Sequence, residues 1–228
     1  MKYNFSKLWS AQFWGFYQFK SFFEFASDKE SQISYCKRLD AIHVDEKGTY
    51  KIETPQRLID YMTGEIESAL ELVKNQFIVF LFTRYETIIQ DTVKCLLCDN
   101  PERILKLTRV YPDYKETVRL SLKEFIESES KEEYVETMSE RLSLKMVNGK
   151  PSNVVNRLKC LLSFEDIDTV VLDELMDRRN NIVHEGKIYA MELSELETYY
   201  DAIDNLLKVL ALALKKIDIA VIDDAQIL

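Results

Sequence analysis

The chain has 228 residues, 46% of them apolar and 30% charged, enough for one generous core or two tight ones and unlike a disordered chain. Five glycines and four prolines are too few to punctuate many short strands, which disfavours an all-β fold and points to long helices. A net charge of −9 argues against a protein that coats nucleic acid by general attraction and confines any such contact to a local patch.

The first 26 residues gather Trp9, Phe13, Trp14, Phe16, Tyr17, Phe19, Phe22, Phe23 and Phe25. Phe5, Trp9, Phe13 and Phe16 recur at helical spacing, which predicts a first helix buried in the core; a surface for base stacking or partner binding is the alternative use of such rings. The segment lacks a continuous aliphatic run and a small-residue cleavage site, so it does not read as a signal peptide. Ile42, Val44, Tyr50 and Ile52 alternate around Lys47-Gly48, the pattern of a small β-hairpin, and His43 inside it reads as structural.

One long helix is expected from 54 to about 98, with Leu58, Met62, Ile66, Leu70, Val73, Phe77, Phe80, Leu81, Tyr85, Ile88 and Leu96 on one side and Gly64 as a candidate kink. Arg84 interrupts that stripe with Glu86 close by; a structural ion pair is expected there, a supporting part in a cleft being the other option. Asn100-Pro101 closes the helix, and shorter helices follow between 102 and 146, with breaks at Tyr111-Pro112 and Asn148-Gly149. The last third predicts helices at about 154 to 164, 168 to 185 and 194 to 217. The final one carries a capping box of Ser194 and Glu197 and a stripe of Leu196, Tyr199, Ile203, Leu206, Leu210, Leu214 and Ile217.

The fold expected is therefore all-α: a helical domain over 54–228 preceded by an aromatic-rich elaboration and hairpin over 1–53. Cys36, Cys95, Cys98 and Cys160 are scattered among apolar neighbours, as reduced thiols are, and the CxxC of Cys95 and Cys98 reads as two helix-core thiols. With two histidines in the chain and no second cysteine pair, no metal site and no cofactor is expected. Charges interrupt every apolar stretch before it reaches the length of a membrane span, so no membrane association and a cytoplasmic location are expected.

Chemistry concentrates in Arg179-Asn180-Asn181-Ile182-Val183-His184. On a helical wheel Leu172, Leu175, Met176, Ile182 and Val183 share one face, and Arg179 falls at its centre, where packing alone would select leucine. A guanidinium there calls for an anion: a buried carboxylate, a neighbouring subunit or a phosphate. Asn180 and His184 stack one turn apart, with Gly186 as a helix stop just beyond, so His184 sits in the last turn, where an imidazole can give or take a proton. Arg178 and Lys187 add charge beside it. So do Arg141, Lys145, Lys150, Arg157 and Lys159, in a stretch of 141–160 that contains no acid, to be read as a phosphate track or as a solvated basic face.

Arg179-Asn180 followed by His184 resembles the Rx4-6H signature of the HEPN superfamily. The resemblance covers six residues closely and extends loosely, as a helical arrangement, to 55–217. It implies a compact helical bundle that forms a homodimer with the Arg and His of both subunits in one cleft. It also implies a metal-independent endoribonuclease of anti-phage defence or a toxin–antitoxin system, with RNA as substrate and a cognate antitoxin or inhibitor protein as partner. In that role His184 serves as general acid or base, Arg179 stabilises phosphoryl charge and Asn180 orients His184 or a phosphate, while Arg178 and Lys187, by their charge beside the motif, are the candidate RNA contacts. The chain has Glu185-Gly186 after the histidine and lacks the tyrosine of the subgroup paired with nucleotidyltransferase antitoxins. On an ideal helix Arg179 and His184 point about 140° apart, which a two-fold dimer cleft would resolve. The competing expectation is a non-catalytic helical module that binds a partner protein or a nucleotide.

Overall fold

A computed structural model describes residues 2–46, 48–119, 128 and 130–228. Lys47 of the expected hairpin turn and part of the expected 102–146 helices lie outside the described residues. Eight helices are described: α1 (Phe5–Ala26), α2 (Lys29–Arg38), α3 (Gln56–Asp99), α4 (Glu102–Val110), α5 (Lys131–Met146), α6 (Pro151–Lys159), α7 (Thr169–Glu185) and α8 (Leu193–Lys216). An antiparallel hairpin of β1 (Ala41–Asp45) and β2 (Gly48–Ile52) separates α2 from α3, and a 3-10 turn at Pro112–Tyr114 follows α4.

Local chemistry sets most of these boundaries. Asn4, Asp28, Ser130 and Asp168 each place a side-chain oxygen on a first-turn N–H, so α1, α2, α5 and α7 begin where an orphan donor is satisfied. Pro55 and Asn100-Pro101 bracket α3, which runs unbroken through Gly64. α6 starts at Pro151, whose missing N–H costs nothing in a first turn, and ends at Lys159, earlier than expected. The cap of α8 also differs from expectation. Glu192 accepts from the backbone of Glu195, whose carboxylate returns to the Glu192 N–H at 2.9 Å, two residues before the Ser194 and Glu197 pair.

α3 is the central post, packed against α1, α2, α5, α7 and α8. Its Ile78, Leu81, Ile88, Ile89 and Leu96 are fully buried and meet Leu142 and Met146 of α5, Leu172 and Leu175 of α7, and Ile203, Leu206, Leu207 and Leu210 of α8. Burial continues around α3 through Phe82, Val93 and Leu97, so its second half is enclosed on several sides instead of presenting the single stripe its sequence suggests.

The first helix departs most from expectation. Phe5 and Leu8 enter the core, Phe16 stacks on Tyr200 of α8 at 4.3 Å and Phe19 on Phe77 of α3 at 3.9 Å, yet Trp14, Tyr17, Phe22 and Phe25 face outward. Rings occupy all sides of α1, whereas a helix at the margin of a bundle can bury only the arc that faces its neighbours. Gly15 permits the close approach on the buried side, because a Cβ there would meet the Phe80 ring at 2.6 Å.

The core also crosses the 53/54 boundary. Tyr3 is buried, bridges to Val221 after α8, and exchanges backbone hydrogen bonds of 2.9 Å with Ala220 and Ile222. His43 is exposed on the hairpin, 5.2 Å from the ring of its cross-strand partner Tyr50. Among the described residues no helix is long and apolar enough to cross a membrane. The four cysteines are free, Cys36 and Cys95 buried, Cys98 and Cys160 partly so, and burial pushes the Cys95 thiol up to about 11, away from thiolate chemistry.

Candidate active site

α7 is held at both ends. At its start Asp168 caps Val170; at its end Gly186 adopts a left-handed conformation (φ 65°), and the N–H groups of Gly186 and Lys187 converge on the carbonyl of Asn181. The chain that leaves the helix is then clamped to α3. Asn75 receives the Tyr189 N–H on Oδ1 at 3.0 Å and donates Nδ2 to the Tyr189 carbonyl at 2.9 Å, while Lys74 donates to the Met191 carbonyl. The Tyr189 hydroxyl accepts from Asn181 Nδ2 at 2.6 Å. His184 thus stands on a helix end whose exit is fixed by a buried asparagine and a buried lysine.

The two adjacent arginines have different surroundings. Arg178 turns toward α8, where Nη2 lies 2.9 Å from Glu174 and 3.1 Å from Glu195, and its guanidinium stacks between the rings of Tyr189 (5.5 Å) and Tyr199 (5.6 Å). The Tyr199 hydroxyl donates to the same Glu174 oxygen at 2.8 Å. Burial, together with that bond, pushes the Tyr199 phenol far above its ordinary range.

Arg179 turns toward α3. Its guanidinium lies over the Phe82 ring at 5.5 Å, and Nη1 donates to Asn180 Oδ1 at 3.0 Å. Among the described residues no carboxylate comes within 4.0 Å of it. Glu86, one turn along α3 from Phe82, is close enough to feel its charge: burial raises the Glu86 carboxyl above its usual range, and Arg179 opposes that rise. The half-buried guanidinium is therefore oriented by an amide and a ring without being neutralised by a direct ion pair.

Asn180 holds Arg179 rather than His184, which is exposed and makes no hydrogen bond among the described residues. Lys187 is exposed with Nζ 5.2 Å from the Tyr189 ring, so both flanking cations reach the same tyrosine, although Arg178 has its charge already engaged. Val183, expected on the packed face, is exposed, whereas Ile182 and Met176 are packed against the core.

The basic stretch of 141–160 is occupied locally. Arg157 donates to the carbonyls of Met146 and Asn148 at the end of α5, Lys145 donates to the Asp113 carbonyl, Lys150 pairs with Asp177 at 3.7 Å and Lys159 with Asp166. Arg84 finds the Leu8 carbonyl at 3.2 Å in place of the expected ion pair, and burial lowers its pKa, with Asp91 the carboxylate that opposes the shift.

Phe82, Asn75 and Tyr189 complete the surroundings of the motif and were not singled out by sequence, and Glu86 was named there only as a partner for Arg84. Nothing local marks Asn75, which stands between Lys74 and Gln76 in the sequence. No protein-family model, curated protein or solved structure matches this chain.

Proposed function

We propose that the chain is a metal-independent endoribonuclease that acts as a homodimer through Arg179, Asn180 and His184, in the manner the HEPN resemblance implies. The observation that carries this reading is Arg179: an arginine half-sunk beside Phe82, aimed by Asn180, and without a carboxylate within 4.0 Å among the described residues. A guanidinium held in that way is preorganised for an oxyanion, because its orientation is fixed before the anion arrives.

In the reaction the 2′-OH of RNA attacks the adjacent phosphorus and the 5′-oxygen of the next nucleotide leaves. His184 moves the proton, Arg179 stabilises the phosphoryl oxygens, and Asn180 keeps Arg179 in place. The products carry a 2′,3′-cyclic phosphate and a 5′-OH, and DNA, which lacks the nucleophile, is inert. Lys187, exposed beside the site, contacts the RNA backbone, with Arg178 supporting from the α8 side. A cytoplasmic role in anti-phage defence or a toxin–antitoxin pair, restrained by an antitoxin or inhibitor protein, fits this activity.

Incubation of the purified protein with total RNA, with and without EDTA, tests the proposal. EDTA-resistant cleavage that disappears in folded His184→Ala and Arg179→Ala supports it. No turnover by the wild type points to the non-catalytic binding module, and cleavage unchanged in both variants places the activity elsewhere.

A further inference from the structure

The outward arc of α1 adjoins α3 across a groove of about 450 Å³ lined by Gly15, Phe19, Phe22, Val73, Phe77 and Phe80. Beyond that groove, Leu72, Gln76, Val79 and Thr83 recur at helical spacing along α3, and all but the half-buried Val79 are exposed. α7 follows on the far side. It runs antiparallel to α3, as the Asn75–Tyr189 and Phe82–Arg179 contacts require, so Val183 comes level with Ile78 and Val79. One surface therefore extends from α1 across the middle of α3 to the last turn of α7.

The α1 and α3 part of that surface is almost free of charge in a chain that is 30% charged. Between Ser10 and Phe25 the charged residues are Lys20 and Glu24, and Lys20 is committed to Glu197 at 2.6 Å and Glu24 at 4.0 Å. Along this stretch of α1 an RNA backbone would find no available cation, and a strongly charged protein would find no complement. An uncharged, aromatic-rich surface is matched by another of its kind, and depletion of charge with enrichment of aromatic rings is what the centre of a protein interface looks like.

We infer that this α1–α3–α7 face is the two-fold interface of the dimer, its occupant a second copy of the chain. The inference rests on the homodimer reading above and assigns it a surface. Phe22 is 52% exposed, Leu72 48% and Val183 48%, and Gln18, Gln76 and Thr83 beside them are exposed as well. Taken with the usual side-chain areas, these six offer about 500 Å² per copy and about 1,000 Å² per pair, the threshold of a specific interface. Closing the face sets the last turn of α7, with Asn180, Val183 and His184, at the border of the partner's surface. A cleft shared by two copies needs that placement, since one α7 cannot aim Arg179 and His184 at a single atom.

Light scattering on the eluted full chain, with Phe22→Glu on α1, Gln76→Arg on α3 and Leu105→Glu on α4 as a control, tests the interface. The wild type and Leu105→Glu should have twice the 26.8 kDa chain mass, and the two face variants should fall to half of that while keeping wild-type helix content and a cooperative melt. Gln76 is exposed in the single chain, so its replacement leaves folding intact and keeps the test decisive. A monomeric wild type, or two face variants that both stay dimeric, overturns the inference. So does loss of RNA binding in Phe22→Glu at dimeric mass, which would make the face an RNA surface. A dimer through this face that cuts no RNA defeats the nuclease proposal alone; RNA cleavage by a monomeric wild type defeats the interface alone.

Discussion

The two sides of α7 invite comparison, because neighbouring arginines mark them. On the α8 side Arg178 has two carboxylates and two tyrosine rings, so its charge is compensated inside the fold. On the α3 side Arg179 has an amide, a ring and, farther off, a carboxyl that burial disfavours as an anion. The first arrangement serves cohesion. The second leaves a cation unsatisfied by the chain, a state that costs stability unless a ligand or a partner removes the deficit. What the contrast teaches is that adjacent identical side chains can be separated into scaffold and site by asking where each finds its counter-charge.

The sharpest way to break the comparison is to delete the groups on the open side. His184→Ala should lower RNA cleavage by about 10² to 10⁴, the usual worth of a general acid–base group, with no change in melting temperature because the imidazole is exposed and makes no hydrogen bond among the described residues. Gel-resolved initial rates beside thermal melts check both halves. A melting temperature that falls with activity would make His184 a structural residue.

The next largest effect lies where the helix exit is clamped. Asn75→Ala removes both hydrogen bonds to the Tyr189 backbone and should destabilise the fold by about 2 to 3 kcal/mol, the cost of leaving two enclosed backbone groups unpaired. Urea unfolding measures it, and hydrogen exchange should rise first across 186–192. Arg178→Met follows. Its carboxylate partners are partly exposed, so solvent screening reduces the loss to about 1 to 2 kcal/mol, whereas Arg179→Ala should change stability by about 0.5 kcal/mol or less. Equal losses for the two arginines would erase the distinction between the two sides.

Much of this contrast was legible in the residues, and some of it was not. Helix periodicity located α3, α7 and α8, and the ends of the first two were also legible because Pro55, Asn100-Pro101, Asp168 and Gly186 act locally, within a turn of themselves. The misfit of Arg179 on an apolar face could also be seen. Its different fate from Arg178 could not, since that depends on Glu195 of α8 and Phe82 of α3, brought in by tertiary packing. The outward rings of α1 escaped for a related reason: periodicity tells which residues share a face, and α1 carries aromatic residues on every face. The local partners of the basic run of 141–160 could not be read either, because carbonyls at the end of α5 and the acids Asp166 and Asp177 are either backbone atoms or lie outside the run.

The smallest predicted effect is the one that probes Arg179 most directly. Burial holds the Glu86 carboxyl above its usual value, so its folded-state pKa exceeds its unfolded one. The stability linked to that group is fully present below the ordinary glutamate range and is lost as pH rises through the folded value, where the ionised form must be kept in a poorly hydrated place. Glu86→Gln should therefore raise the melting temperature slightly at pH 7, and the gain should shrink toward zero as pH falls through the carboxylate range. In an Arg179→Ala background the gain should be larger, because the one positive charge that offsets the burial of Glu86 is gone. Melting curves of the four proteins across pH 4 to 7 close the cycle. A gain that is independent of Arg179 would mean that the guanidinium does not feel Glu86, and a Glu86→Gln protein that is less stable at pH 7 would mean that the two form a true ion pair and that Arg179 belongs with Arg178 on the structural side of the helix.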